Sequence, residues 1–131
     1  MKDIISNLKG IKDERGLLVA VEGLKTIPFE IKRAYYLLDL KEDFARGFHA
    51  HKELVQFAVC LKGSCRFVMD SGISRDEYLL DKPQKGILIE PMIWHEMHDF
   101  SSDCVLLVFA SDYYDESDYI RDYHEFKKRF L

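Results

Sequence analysis

A chain of 131 residues, 47% hydrophobic and 32% charged, is long enough to bury one core and too apolar to be disordered. Its formal net charge of −4 argues against nucleic acid or an acidic membrane as a partner. No apolar run approaches the ~20 residues of a membrane span, and Met1-Lys2-Asp3-Ile4 opens no signal-peptide core, so we expect a cytoplasmic protein with a single domain, residues 1–131.

From Ile4 to Gly10 the chain is mixed and strand-like, Asp13-Glu14-Arg15-Gly16 reads as a turn, and residues 17–21 form a compact apolar strand. After Pro28, residues 31–38 return to β-favouring types, with Arg33 and Tyr35 on one face. The charged loop Lys41-Glu42-Asp43 leads to Arg46-Gly47-Phe48-His49-Ala50-His51-Lys52. On a strand, i and i+2 side chains share a face, so His49 and His51 project toward one point. Gly47 lets the backbone pass close to a ligand. Residues 55–61 alternate as the next strand, and Lys62-Gly63 predicts a tight hairpin turn into residues 64–69.

Asp70-Ser71-Gly72 turns into residues 73–80, and residues 86–91 form a short apolar strand ended by Pro91. Residues 94–100 place His95, Met97 and Asp99 on one face and Trp94, Glu96, His98 and Phe100 on the other. Residues 104–110 are apolar throughout, as in a strand buried on both faces. From about Ser117 the period changes: Tyr119, Ile120, Tyr123, Phe126 and Phe130 fall three or four apart, with acids early and bases late. That predicts an amphipathic C-terminal helix. Some nine strands, roughly counted, with frequent turns and one terminal helix point to an all-β jelly-roll barrel. Cys60, Cys65 and Cys104, without CxxC spacing, read as reduced, buried thiols. His98 and His124 read as surface or structural, Trp94 as a core or rim aromatic, and Tyr113, Tyr114 and Tyr119 as packing around the helix.

A histidine pair on one strand has two chemical uses. Neutral imidazoles can ligate a metal, with further ligands from elsewhere. The order His49, His51, Gln56, Gly63 and His95 resembles the metal motif of the cupin superfamily, with Gln56 where the carboxylate ligand belongs. A neutral amide brings no charge to a divalent cation, which favours a metal-free site with no cofactor. The second use is general acid–base catalysis, where a group titrating near neutrality contributes about 10²–10⁴-fold in rate. Arg15, Arg33, Arg46 and Arg66 are candidates to neutralise phosphate or a developing oxyanion.

Longer motifs sharpen the reading. Arg33-Ala34-Tyr35-Tyr36, the stretch 46–52, Leu61-Lys62-Gly63-Ser64-Cys65-Arg66, Pro91-Met92-Ile93-Trp94-His95-Glu96-Met97 and Ser111-Asp112-Tyr113-Tyr114-Asp115-Glu116 together resemble the sugar-nucleotide 3,4-ketoisomerases of the cupin superfamily. The resemblance spans nearly the whole chain. It implies a metal-free homodimeric jelly roll acting on dTDP-4-keto-6-deoxyglucose, moving the carbonyl from C4 to C3 for aminated deoxysugars of bacterial surface glycans. It further implies His49 and His51 as the acid/base pair, Tyr35 as their partner, and Arg33, Arg46, Arg15, Arg66 and His95 as substrate contacts. Arg15-Gly16 resembles the members that form the galacto product. The rival readings are a metal-dependent cupin enzyme using His49, His51, His95 and Gln56, and a sugar-nucleotide binding module without activity.

Overall fold

The computed structural model describes residues 4–131; of the opening Met1-Lys2-Asp3-Ile4, the first three lie outside that range. The strands are β1 (Ile5–Asn7), β2 (Gly10–Asp13), β3 (Gly16–Val19), β4 (Arg33–Leu37), β5 (Arg46–His51) and β6 (Gln56–Lys62). They continue as β7 (Cys65–Asp70), β8 (Arg75–Leu80), β9 (Lys85–Ile89), β10 (Trp94–His98), β11 (Val105–Ala110) and β12 (Tyr119–Ile120). A 3₁₀ turn at Glu116–Asp118 precedes β12, and one helix, α1 (Tyr123–Lys128), follows it. Among the described residues no helix is long and apolar enough to cross a membrane.

Two five-stranded sheets, ordered β1-β9-β6-β11-β4 and β12-β5-β10-β7-β8, are antiparallel throughout. This is the jelly-roll arrangement that the many short strands and turns led us to expect. Their facing sides bury Ala58 and Cys60 of β6, Phe67 and Met69 of β7, Ile87 and Ile89 of β9, and Leu106 and Val108 of β11 in one core. The alternate residues of the first sheet, Phe57, Val59, Leu107 and Phe109, turn the other way and pack under Ile27 and Phe29. Strand β11 is therefore fully buried on one face and half-covered on the other, where the sequence suggested burial on both. Outside the second sheet, Ala50, Trp94 and Ile120 are covered by Phe126 of α1.

Three further expectations change. Lys62-Gly63 is no hairpin turn, because β6 and β7 belong to different sheets and the segment crosses between them. Gly63 has φ +74, and a side chain there would run into Ser101 and Asp103, so the crossing needs glycine. The terminal helix is shorter than its periodicity promised. Tyr119 and Ile120 instead pair with His51 and Ala50 of β5, and Asp122 starts the helix by accepting the His124 and Glu125 N–H groups at 2.8 and 3.1 Å. Among the described residues the strands number twelve, because short pairs such as β2–β3 and β12 carry no periodic signal.

Among the described residues the β2–β3 ribbon pairs only with itself, and it leaves Ile11, Leu17 and Leu18 exposed. Cys60, Cys65 and Cys104 are free and buried, as expected, with Cys60 and Cys104 sulfurs 3.6 Å apart.

Candidate functional site

The site is built around a defect in β5. Gly47 and Phe48 both sit at positive φ, 91° and 60°, and the register against β10 shifts there: His49 faces His95, but Gly47 and Arg46 face Glu96 and Met97. Phe48 is the extra residue of a bulge. Strict alternation would send Arg46 to the face opposite His49. The bulge restores it to the inward face, and its charge acts on Tyr35 across the barrel. Phe48 is thrown outward, edge-on to His98 at 5.6 Å. A non-glycine residue at positive φ costs about 1–2 kcal/mol, strain of the kind that collects at functional sites.

His49 and His51 emerge as the i, i+2 argument requires. Their ring centroids are 5.0 Å apart, with His95 at 4.6 Å from His49 and 5.8 Å from His51. The Nδ1 atoms of His49 and His95 lie 3.0 and 3.1 Å from the carbonyl oxygens of Gly47 and Ile93. Those carbonyls accept only from N–H, which fixes Nδ1–H tautomers and leaves each Nε2 as a lone pair. His51 is different: it is buried, and among the described residues neither ring nitrogen has a hydrogen-bond partner.

Burial disfavours a proton on all three rings. It pushes His51 and His95 down to about 3, helped for His51 by His49 and by the Arg33 and Arg121 cations, and lowers His49 as well. On the opposite sheet, Tyr35 donates its hydroxyl proton to Gln56 Oε1 at 2.5 Å, and burial pushes the phenol up to about 12. The Arg33 guanidinium lies 5.2 Å from the Tyr35 ring centroid, and its buried Nε has no partner. A cavity lined by Arg33, His51, Glu53, Leu54, Asp118 and Tyr119 reaches the cluster at His51. Two adjacent imidazoles, one of them on the cavity beside an unpartnered arginine nitrogen, with a phenol next to that arginine, suit the transfer of protons on a polar, anionic ligand.

Two candidates do not join this group. Arg66 sits on the outer face of β7, where Nε donates to Asp99 at 2.8 Å and the guanidinium pairs with Glu77. The reason is strand parity: Phe67 and Met69 take the inward positions. Alternation in β10 also fails at its end, since Asp99 has φ 56 and turns to Arg66 while Phe100 enters the core. Arg15 stands on the turn of the β2–β3 ribbon, 86% exposed and closed back on Asp13 at 2.6 Å, away from the cavity.

Other residues enter unannounced. Tyr119, which periodicity assigned to helix packing, presses its ring on His49 and His51 at 4.9 and 4.3 Å. Arg121 covers that ring at 4.2 Å and is held by Glu116 at 2.8 and 2.9 Å. The sequence signal available was chemical, a tyrosine and arginine two apart after an acidic run, and helical spacing masked it.

For a metal, the three histidines offer ligand atoms within 4.8 Å of one another. Among the described residues this cluster contains no carboxylate, and Gln56, in the expected carboxylate position, is engaged by Tyr35. The donor set is three neutral imidazoles and brings no charge of its own to a dication.

Two facing antiparallel sheets that sink an imidazole cluster between them define a cupin-type barrel with a reactive interior. A family model described as "FdtA: WxcM-like, C-terminal" matches residues 1–130. The TDP-4-oxo-6-deoxy-alpha-D-glucose-3,4-oxoisomerase of Aneurinibacillus thermoaerophilus is 58% identical over 128 residues, 98% of this chain and 92% of that protein. A crystal structure of a 3,4-ketoisomerase from Helicobacter canadensis superposes with TM-score 0.93 at 49% identity, covering 95% of this chain and 94% of the other. A histidine-to-asparagine mutant of a 3,4-ketoisomerase from Thermoanaerobacterium thermosaccharolyticum, in complex with TDP-4-keto-6-deoxyglucose, superposes with TM-score 0.93 at 40% identity over 98% and 95% of the two chains. The chain belongs to the FdtA family of sugar 3,4-ketoisomerases and is an isomerase of deoxysugar biosynthesis.

Proposed function

We propose that this protein converts dTDP-4-keto-6-deoxyglucose into the 3-keto isomer with galacto configuration at C4, as a cytoplasmic single-domain cupin, residues 1–131, needing no metal or other cofactor. The product would supply aminated deoxysugars for surface glycans. The observation that carries this reading is His51: a buried imidazole with two unpartnered nitrogens, beside His49 and beside an arginine nitrogen that also lacks a partner. Buried polar atoms are almost always paired, and a sugar with hydroxyl, carbonyl and phosphate oxygens would pair these. The relative bound to TDP-4-keto-6-deoxyglucose supports the choice of ligand.

The chemistry follows from the atoms. His49 takes the proton from C3, and the electron pair forms an enediolate over C3 and C4. His51, with Tyr35, carries the O3 proton to O4 and passes to C4 a proton drawn from water. His49 releases its own proton to water, leaving the carbonyl at C3 and both rings neutral. Burial lowers His49, which favours the neutral ring that can accept a proton. Arg33 and Arg46 offset the enediolate charge, the interaction usually worth most in such sites. His95 backs His49, with ring centroids 4.6 Å apart, and would support it against the sugar. Tyr35, whose hydroxyl donates to Gln56, would share that proton with the sugar oxygens during the transfer. The test is His49→Ala and His51→Ala: each should cut turnover by at least about 100-fold. Survival of either within about 10-fold would remove that histidine as an essential base.

The exposed ribbon supports a homodimer, because Ile11, Leu17 and Leu18 would be covered by strand exchange with a second copy. Arg15 belongs to the ligand set, and to the choice of the galacto product, only if that exchange carries the ribbon over the other copy's cavity. Light scattering on the purified protein, followed by the C4 configuration formed by Arg15→Ala, tests both.

A further inference from the structure

His49 and His51 differ in what stands behind them. The rings of His49 and His95 are each oriented by a backbone carbonyl, a neutral acceptor. Behind His51 stands a carboxylate: Asp118 Oδ2 is 3.6 Å from Nδ1. That gap exceeds a hydrogen bond, yet catalytic contacts are often long before the ligand binds.

Asp118 is held there from two sides. Its Oδ1 and Oδ2 accept the N–H groups of Glu53 and Leu54 at 2.9 and 3.2 Å, and its carbonyl accepts the Lys52 N–H at 2.9 Å. Those three residues follow His51 directly in the chain. The next residue after Asp118, Tyr119, pairs with His51 across β5 and β12. Both chain directions thus register the carboxylate to this imidazole, and Oδ2 keeps a free lone pair. His51 meanwhile faces the Arg33 and Arg121 cations, which oppose a proton on its ring. A carboxylate on the far nitrogen offsets them.

We propose that Asp118 is a positioning residue for His51, accepting its Nδ1–H when a ligand fills the cavity. The bond fixes the tautomer with Nε2 as the lone pair facing the sugar, and it stabilises the ring while that ring carries a proton. A proton arriving at Nε2 gives an imidazolium paired with an ionised carboxylate, and its return to the sugar restores the neutral ring. His51 is then the member of the pair that carries the hydroxyl proton from O3 to O4, and His49 the one that takes the proton from C3. This inference rests on the isomerase reading above.

The test is a double-mutant cycle of Asp118→Asn in the wild-type and His51→Gln backgrounds, with kcat and KM measured on dTDP-4-keto-6-deoxyglucose and melting followed for every variant. Acting through His51, Asp118→Asn should lower kcat by about 100-fold in the wild type, with KM nearly unchanged. In His51→Gln it should cost no more than about 2-fold. Equal losses in both backgrounds would make Asp118 a loop anchor only and overturn the proposal. So would an active Asp118→Asn beside an inactive His51→Gln, which leaves the isomerase reading intact. An active His51→Gln would sink both. Because Asp118→Asn also disturbs the amides of residues 53 and 54, the tautomer is read independently in unmutated protein. With thymidine diphosphate and the sugar analogue of the substrate bound, nitrogen-15 shifts should place the His51 proton on Nδ1; a proton on Nε2 would refute the dyad.

Discussion

Acidification tests whether the imidazole cluster is truly dry. His51 and His95 are each 2% exposed, and burial brings both down to about 3. In the unfolded chain they titrate near 6.5. Between these values the unfolded state binds protons that the folded state refuses, so stability is complete above about pH 6.5 and falls as pH drops toward 3. Each proton costs about 1.4 kcal/mol per pH unit. Two rings give a slope of about 2.7 kcal/mol per unit below pH 6, and His49, also lowered, steepens it. Set against a typical stability of about 5–15 kcal/mol, this predicts unfolding at mildly acidic pH. Urea unfolding at closely spaced pH values from 5 to 6.5 isolates the histidines, because most carboxylates stay ionised there. His95→Gln, one titrating ring fewer, should lower the slope by about 1.4 kcal/mol per unit. Equal slopes for the two proteins would mean that His95 takes up its proton in the folded state, and the claim of a desolvated base would fail.

Tyr35→Phe removes the hydroxyl that bonds Gln56 and should lower kcat about 10–100-fold while leaving the melting temperature within a few degrees; undiminished turnover would take Tyr35 out of the mechanism. Arg33→Ala should raise KM at least about 10-fold, since its buried Nε waits for a partner, whereas Arg66→Ala, paired on the outer face with Glu77 and Asp99, should stay within about 2-fold. The reverse ranking in steady-state kinetics would mean that the ligand binds outside the barrel. Gly63→Ala should destabilise by about 1–3 kcal/mol in thermal melts, because positive φ and the neighbouring Ser101 both oppose a side chain. Exhaustive chelation should leave turnover within about 2-fold, and recovery of activity only on adding a divalent metal would favour the histidine trio as a metal centre.

The period of two made the histidine pair, the inward Tyr35 and the alternating β6 and β11 legible, since each depends only on which face a side chain takes. What parity could not foresee were the places where it breaks. The bulge at Phe48 moves Arg46 inward, and Asp99 at positive φ moves Phe100 inward. Arg66 was misplaced because its stretch was read without knowing which of two sheets it joins. Tyr119 and Ile120 satisfy a helical period and lie in a two-residue strand, since pairing with His51 and Ala50 outweighs a weak local preference. Asp118 and Gln56 owe their positions to contacts with residues far away in sequence, 64 residues to Leu54 and 21 to Tyr35, which no local pattern records.

Proton bookkeeping in heavy water reaches the core of the account. Metal-depleted protein incubated with dTDP-4-keto-6-deoxyglucose in D₂O should give the 3-keto galacto product carrying deuterium at C4, and the His49→Ala and His51→Ala variants should give almost none. Substrate recovered unlabelled and unrearranged, or label and product appearing only when a divalent metal is restored, would contradict it.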